Sequence, residues 1–98
     1  LLDKMEKYLS LYQNTKIVVE GHTDATGKEA KNLSYSEARA NSVRDYLLQI
    51  GNVSEDNIAA LGLGSSVPVA SNKTRSGRAQ NRRIVVIVEF DSVEMGLK

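Results

Sequence analysis

The run Ile84-Val85-Val86-Ile87-Val88, five β-branched residues in succession continued by Glu89-Phe90, constrains the fold more than any other segment. Branching at Cβ disfavours helix and suits a pleated surface. A run without polar alternation predicts a strand that is buried on both faces or central in its sheet. A second run, Lys16-Ile17-Val18-Val19-Glu20, is too short for a helix and reads as a central strand that Gly21 ends. Between the two lies a segment of helical period, in which Ala40, Val43, Leu47 and Ile50 share a face. Ser34 and Glu37 have the spacing of a capping box, which predicts a helix start there, and Gly51 is the expected left-handed residue at its end. Residues 21 to 33 hold two glycines and no period, so they read as an exposed loop.

The remaining elements follow from the same rules. Leu1, Leu2, Met5, Tyr8, Leu9 and Tyr12 recur at helical spacing and predict an amphipathic helix over residues 1 to 13. Asn57 to Gly62 reads as a further strand, a loop follows through Gly64, Ser65, Ser66 and Pro68, and Thr74 is placed to cap a short helix over 75 to 80. The order predicts an α/β sandwich: two main helices and a short third packed on a small mixed parallel and antiparallel sheet. The strand-helix-strand stretch implies a parallel pair with a right-handed crossover, and the last strand runs antiparallel to a neighbour.

Composition removes whole classes of chemistry. The chain has 98 residues, one His and no Cys, which fits one domain over 1 to 98 with a tail at 91 to 98. Without Cys there is no thiolate nucleophile, and a lone His22 rules out a multi-His metal centre, so neither a metal site nor a cofactor is expected. No apolar run approaches the roughly 20 residues of a membrane span, so no membrane insertion by this domain is expected. The chain begins at Leu1 without Met or signal peptide and reads as a domain from a longer precursor.

The net charge of +1 conceals an uneven distribution: residues 1 to 72 hold seven bases and nine acids, whereas 73 to 83 hold Lys73, Arg75, Arg78, Arg82 and Arg83 with no acid. That is a local anion site at most, too small by composition for a nucleic-acid surface.

Two residues stand out as candidates. Asp24 lies just past the carboxyl end of a buried strand, where open α/β sheets place ligands, and it is equally the natural acid of an Asx turn. Arg39 lies about 40° from Val43 and about 20° from Ile50 on the helix, at the edge of the stripe that faces the core. A guanidinium there needs a carboxylate or a ligand anion, or else it snorkels outward to pair with Glu37 or Asp45. His22 with Asp24 does not make a Ser-His-Asp site, because no serine sits in a nucleophile elbow. Gly62-Leu63-Gly64-Ser65-Ser66-Val67 lacks the third glycine of a dinucleotide loop. Asn81-Arg82-Arg83 leads into the last strand and can point a guanidinium at the mouth that Asp24 occupies.

Taken together, Val19-Glu20-Gly21-His22-Thr23-Asp24 with Gly27, then Asn32, Ser36, Arg39-Ala40, Val43 and Leu47, then Gly62, Gly64, Pro68, Asn72, Thr74, Gly77-Arg78 and Asn81-Arg82-Arg83-Ile84 closely resemble the OmpA-like carboxy-terminal domain family, which includes the peptidoglycan-associated lipoprotein and the flagellar stator protein MotB. The resemblance runs from Leu1 to Phe90 in one register. It implies a non-enzymatic domain of the periplasm that binds peptidoglycan through the diaminopimelate of the stem peptide and anchors an outer-membrane or envelope protein to the wall of a Gram-negative cell.

By position it makes Asp24 and Arg39 the ligand-binding acid and base, with Thr23, Asn32 and Arg82 as polar neighbours. Diaminopimelate carries an ammonium and a carboxylate on one carbon, so an acid for the first and a fork of donors for the second suit it. The sequence departs from the family at Tyr35, where Leu is usual, and in lacking the family's first strand. That lack would leave a sheet edge able to pair with a second copy as a homodimer. The competing expectation is a small α/β module that holds an anionic or nucleic-acid partner through residues 73 to 83.

Overall fold

Lys16–His22 form a strand, β1, whose side chains alternate: Ile17 and Val19 are buried, while Lys16 is exposed and Val18 and Glu20 half-buried. A computed structural model describes residues 15–51 and 53–89, and in it the order is β1, α1 (Glu29–Ile50), a 3-10 turn (Glu55–Asn57), β2 (Ile58–Gly64), α2 (Arg75–Asn81) and β3 (Arg83–Glu89). The helix read over 1 to 13 and the tail over 91 to 98 lie outside the described residues.

The two helices pack on a three-stranded mixed sheet of order β2-β1-β3. β1 runs parallel to β2, with Ile17 opposite Ile58 and Gly21 opposite Gly62, and antiparallel to β3, with Lys16 opposite Glu89 and His22 opposite Arg83. The parallel pair is joined through α1 and β3 is antiparallel, as the sequence implies. The position of β3 is not as expected. Among the described residues β1 is the central strand, β3 flanks it, and the β3 side chains are half-buried or exposed. Unbroken β-branching reports strand propensity, and it does not by itself decide which strand receives a neighbour on both sides.

Register gives the sheet two unequal faces. Ile17, Val19, Ile58 and Ala60, with Ile84, Val86 and Val88, turn toward α1, where Ala40 and Leu47 complete the core and Val43, Leu48 and Ile50 close its rim. Glycine lets the helix come down onto that face. A Cβ on Gly21 would collide with the Ser36 carbonyl oxygen, and one on Gly62 would lie 2.5 Å from the Glu37 nitrogen. The amino-terminal half of α1 therefore rests on two glycines at the carboxyl ends of β1 and β2.

Both ends of α1 differ from expectation. The helix begins at Glu29, five positions before Ser34, and its N-cap Lys28 makes no side-chain cap bond. Ser34 and Glu37 are exposed positions inside the helix. The chain actually turns at Gly27, which has φ +81°, and Lys28 to Lys31 beyond it favour helix. At the other end Gly51 is extended at φ −98°, and its N–H closes the last turn on the Leu47 carbonyl at 2.8 Å. The strands also run further than read, β1 through His22 and β2 from Ile58 to Gly64. Thr74 does cap α2, its hydroxyl accepting from the Gly77 N–H at 3.0 Å.

Candidate functional site

Three segments distant in sequence meet where the parallel pair ends. Gly64, with φ +56°, closes β2 and its carbonyl accepts from the Thr23 N–H at 2.9 Å, which sets Thr23 and Asp24 on the rim of the sheet. The buried Ser36 hydroxyl ties α1 to the same point, accepting from the Gly64 N–H at 3.0 Å and donating to the Leu33 carbonyl at 2.9 Å. Glu29, in the first turn of α1, accepts from the Ser65 N–H at 3.1 Å and the Ser65 hydroxyl, which hold its carboxyl below the ordinary range. These bonds fix the helix start where a local cap was expected.

Asp24 is buried, and each of its carboxylate oxygens is engaged. Oδ1 accepts from the Thr26 N–H at 2.8 Å, closing an Asx turn, and Oδ2 accepts from Arg82 Nη1 at 2.7 Å. The Thr26 N–H first, then the Arg82 guanidinium, hold the Asp24 carboxyl below the usual carboxylate range, so it is ionised at neutral pH. The turn and the ion pair coexist at this one residue. The Asp24 carbonyl accepts from the Thr23 hydroxyl at 2.8 Å and, at the outer limit of a hydrogen bond, from Asn32 Nδ2 at 3.5 Å. Asp24, Thr23, Asn32 and Arg82 are thus brought together directly.

Arg39 stands two turns along α1 from Asn32, on the same flank. Its guanidinium is half-buried and lies 5.7 Å from the centre of the Tyr35 ring. Among the described residues it has no carboxylate partner: Asp45 pairs with Arg44 at 3.2 Å, and Glu37 makes no ion pair. The surface pairing open to Arg39 in the sequence is therefore not adopted.

A half-buried guanidinium with no anion among the described residues lies on the flank of the helix that meets the Asp24 carbonyl through Asn32, and the sequence around it matches the model of the OmpA family over residues 1–82. The chain belongs to the OmpA family. It is 42% identical over 91 residues to outer membrane porin F of Pseudomonas aeruginosa, covering 93% of this chain and 26% of that protein. It is also 42% identical over 88 residues to the peptidoglycan-binding protein ArfA of Mycobacterium tuberculosis, covering 90% of this chain and 27% of the relative. The chain thus spans about a quarter of the length of these relatives. The crystal structure of the peptidoglycan-associated lipoprotein from Burkholderia pseudomallei matches with a TM-score of 0.82 at 31% identity, covering 90% of this chain and 74% of that one.

In this OmpA-family chain the loop beside the Asp24 turn is organised by Asn81, a residue whose part was not evident from its place at the end of a short helix. Fully buried, its Oδ1 accepts from the N–H groups of Val69 and Ala70 at 2.8 and 3.0 Å. Its Nδ2 donates to the Ala70 carbonyl at 3.0 Å and to Asn72 Oδ1 at 2.8 Å. Asn72 Oδ1 in turn accepts from the Ala25 N–H at 3.2 Å, joining this loop to the Asp24 turn. Arg78 donates to the Asn72 carbonyl at 3.0 Å, and Arg83 donates to the carbonyls of Asn81 and Val67. His22 bonds within its own strand, Nε2 lying 3.2 Å from Glu20 Oε1. No group of three or more His, Cys, Asp and Glu placed to hold a metal occurs among the described residues, and no described helix is long and apolar enough to cross a membrane.

Proposed function

We propose that this domain binds peptidoglycan without covalent chemistry, through the diaminopimelate of the stem peptide, and so anchors an envelope protein to the wall from the periplasmic side. The observation that carries the reading is Arg39, a half-buried cation with no anion among the described residues, on the flank of α1 where Asn32 meets the carbonyl of the buried, ionised Asp24. A ligand carbon bearing both an ammonium and a carboxylate supplies what each lacks. A carboxylate offers about four acceptor sites, and Thr26 and Arg82 engage one each at Asp24, so capacity remains for an ammonium. Arg39 presents its planar fork to the carboxylate. The Thr23 hydroxyl and the Asn32 amide stand beside Asp24 to complete the polar lining, and Arg82, whose side chain is 51% exposed, can turn further donors to the ligand. The names of a relative and of a matching solved structure, a peptidoglycan-binding protein and a peptidoglycan-associated lipoprotein, support peptidoglycan as the ligand, at the level of the polymer. The proposed role is binding rather than catalysis.

The competing anion or nucleic-acid module loses ground to the geometry. Of the five cations in 73 to 83, Arg78, Arg82 and Arg83 all donate into the fold. Sedimentation with insoluble diaminopimelate-type wall tests the choice. Asp24→Ala and Arg39→Ala should each abolish co-sedimentation while keeping the native fold by circular dichroism, with a lowered melting temperature in Asp24→Ala alone because its turn and ion pair are lost. A stem peptide with lysine in place of diaminopimelate should bind far more weakly. Wild-type retention by both variants would overturn the reading.

A further inference from the structure

Tyr35 carries a large apolar ring at a position 60% exposed to solvent, where it covers no core. The Arg39 guanidinium lies over the ring, 5.7 Å from its centre. The two residues are four apart on α1, so one side chain lies above the other, and helical side chains lean toward the amino end. Arg39 is therefore drawn back over Tyr35, toward the end of the helix where Asn32 meets the Asp24 carbonyl.

Resting on the peptidoglycan reading above, we propose that Tyr35 is a positioning residue that aims the Arg39 guanidinium at the ligand carboxylate and thereby contributes to discrimination between diaminopimelate and lysine stems. The chemistry of the contact suits that task. An arginine side chain is long and rotamer-rich, and holding it in one orientation before the ligand arrives lessens the ordering cost at binding. A carboxylate would hold it too, but would occupy the N–H fork that the ligand needs. An aromatic ring attracts the cation through its quadrupole and leaves the fork able to donate. Tyr35 thus fixes the direction of Arg39 without neutralising it.

The test compares Tyr35→Leu and Tyr35→Phe with the unaltered chain in two measurements. The first is the Arg39 Nε–H resonance in the ligand-free protein: Tyr35→Leu should remove its ring-current shift and speed its exchange with water, and Tyr35→Phe should preserve both. The second is titration with a diaminopimelate stem peptide and its lysine analogue. Tyr35→Leu should weaken the former by roughly two- to five-fold, the worth of an exposed cation–π contact, and leave the latter unchanged, with Tyr35→Phe at the wild-type level.

An unmoved resonance in Tyr35→Leu overturns the proposal whatever the ligand does. Equal weakening of both peptides, or no weakening of either, also overturns it, because the ring would then not act through Arg39. A Phe variant that behaves like Leu does so as well, by assigning the effect to the hydroxyl. If the resonance shifts as expected but the wild-type chain binds neither peptide, the positioning of Arg39 stands and the peptidoglycan reading fails. The exposure of Tyr35 predicts a fall of no more than a few degrees in melting temperature for Tyr35→Leu and none for Tyr35→Phe, which separates these effects from loss of fold.

Discussion

Asp24 is held ionised by groups from its own turn and from Arg82 at the end of α2, and the order of these influences has a measurable result. A carboxyl whose folded pKa lies below its unfolded value contributes stability that is complete above the ordinary Asp range and is lost as pH falls through the lowered value. Retention on wall material should therefore persist through mild acid and disappear only below the usual titration of Asp. In Arg82→Gln, which removes the second of the two main causes, the loss should move to higher pH. Co-sedimentation measured against pH checks this, and an unmoved profile in Arg82→Gln would show that the Thr26 N–H alone sets the acid. The placement of Asp24 at a strand end and of Arg39 at the edge of a helix stripe was legible in the sequence, because both are defined by spacing, whereas their roles toward a ligand came from the family resemblance and remain a proposal. The Arg82 to Asp24 bond itself spans 58 positions and has no local signature.

At the scale of elements, the closeness of α1 to the sheet rests on Gly21 and Gly62. Gly62→Ala would place a Cβ 2.5 Å from the Glu37 nitrogen and 2.7 Å from its Cα, backbone atoms that cannot rotate away. The helix must lift, at a cost of about 1–3 kcal/mol in unfolding free energy, read from denaturant or thermal melting. Asn81→Ala should cost a similar ~1–3 kcal/mol by stranding the Val69 and Ala70 groups. It should also weaken wall binding, since Asn72 loses a donor that holds it against the Asp24 turn. Strands, α1 and the cap of α2 were readable because period and capping are local rules. The start of α1 was misread for the same reason: Ser34 and Glu37 satisfy a local pattern, while Glu29 and Ser65, 36 positions apart, make the bonds that govern. Asn81 was opaque because nothing in its neighbours reveals a loop folding back over it.

For the whole molecule, the proposed site draws on residues 23–24, 32 and 39, and 82, and it requires strands, helix and loop all in place. Ligand should therefore stabilise the fold as a unit: at 100 times its dissociation constant, a diaminopimelate stem peptide should add about 2.7 kcal/mol to unfolding, with a rise in melting temperature absent from Arg39→Ala. The strand pairing has a mechanical meaning for a molecule held to a wall. His22 faces Arg83 at the end of the sheet that carries the candidate site, and Lys16 faces Glu89 at the other. Under the proposed wall binding, tension between a ligand at the site and polypeptide held on both the Lys16 and the Glu89 sides would run down β1 and β3 side by side in the same direction. It stretches two covalent backbones in parallel instead of sliding one strand past the other, so the hydrogen bonds between them carry little of the load.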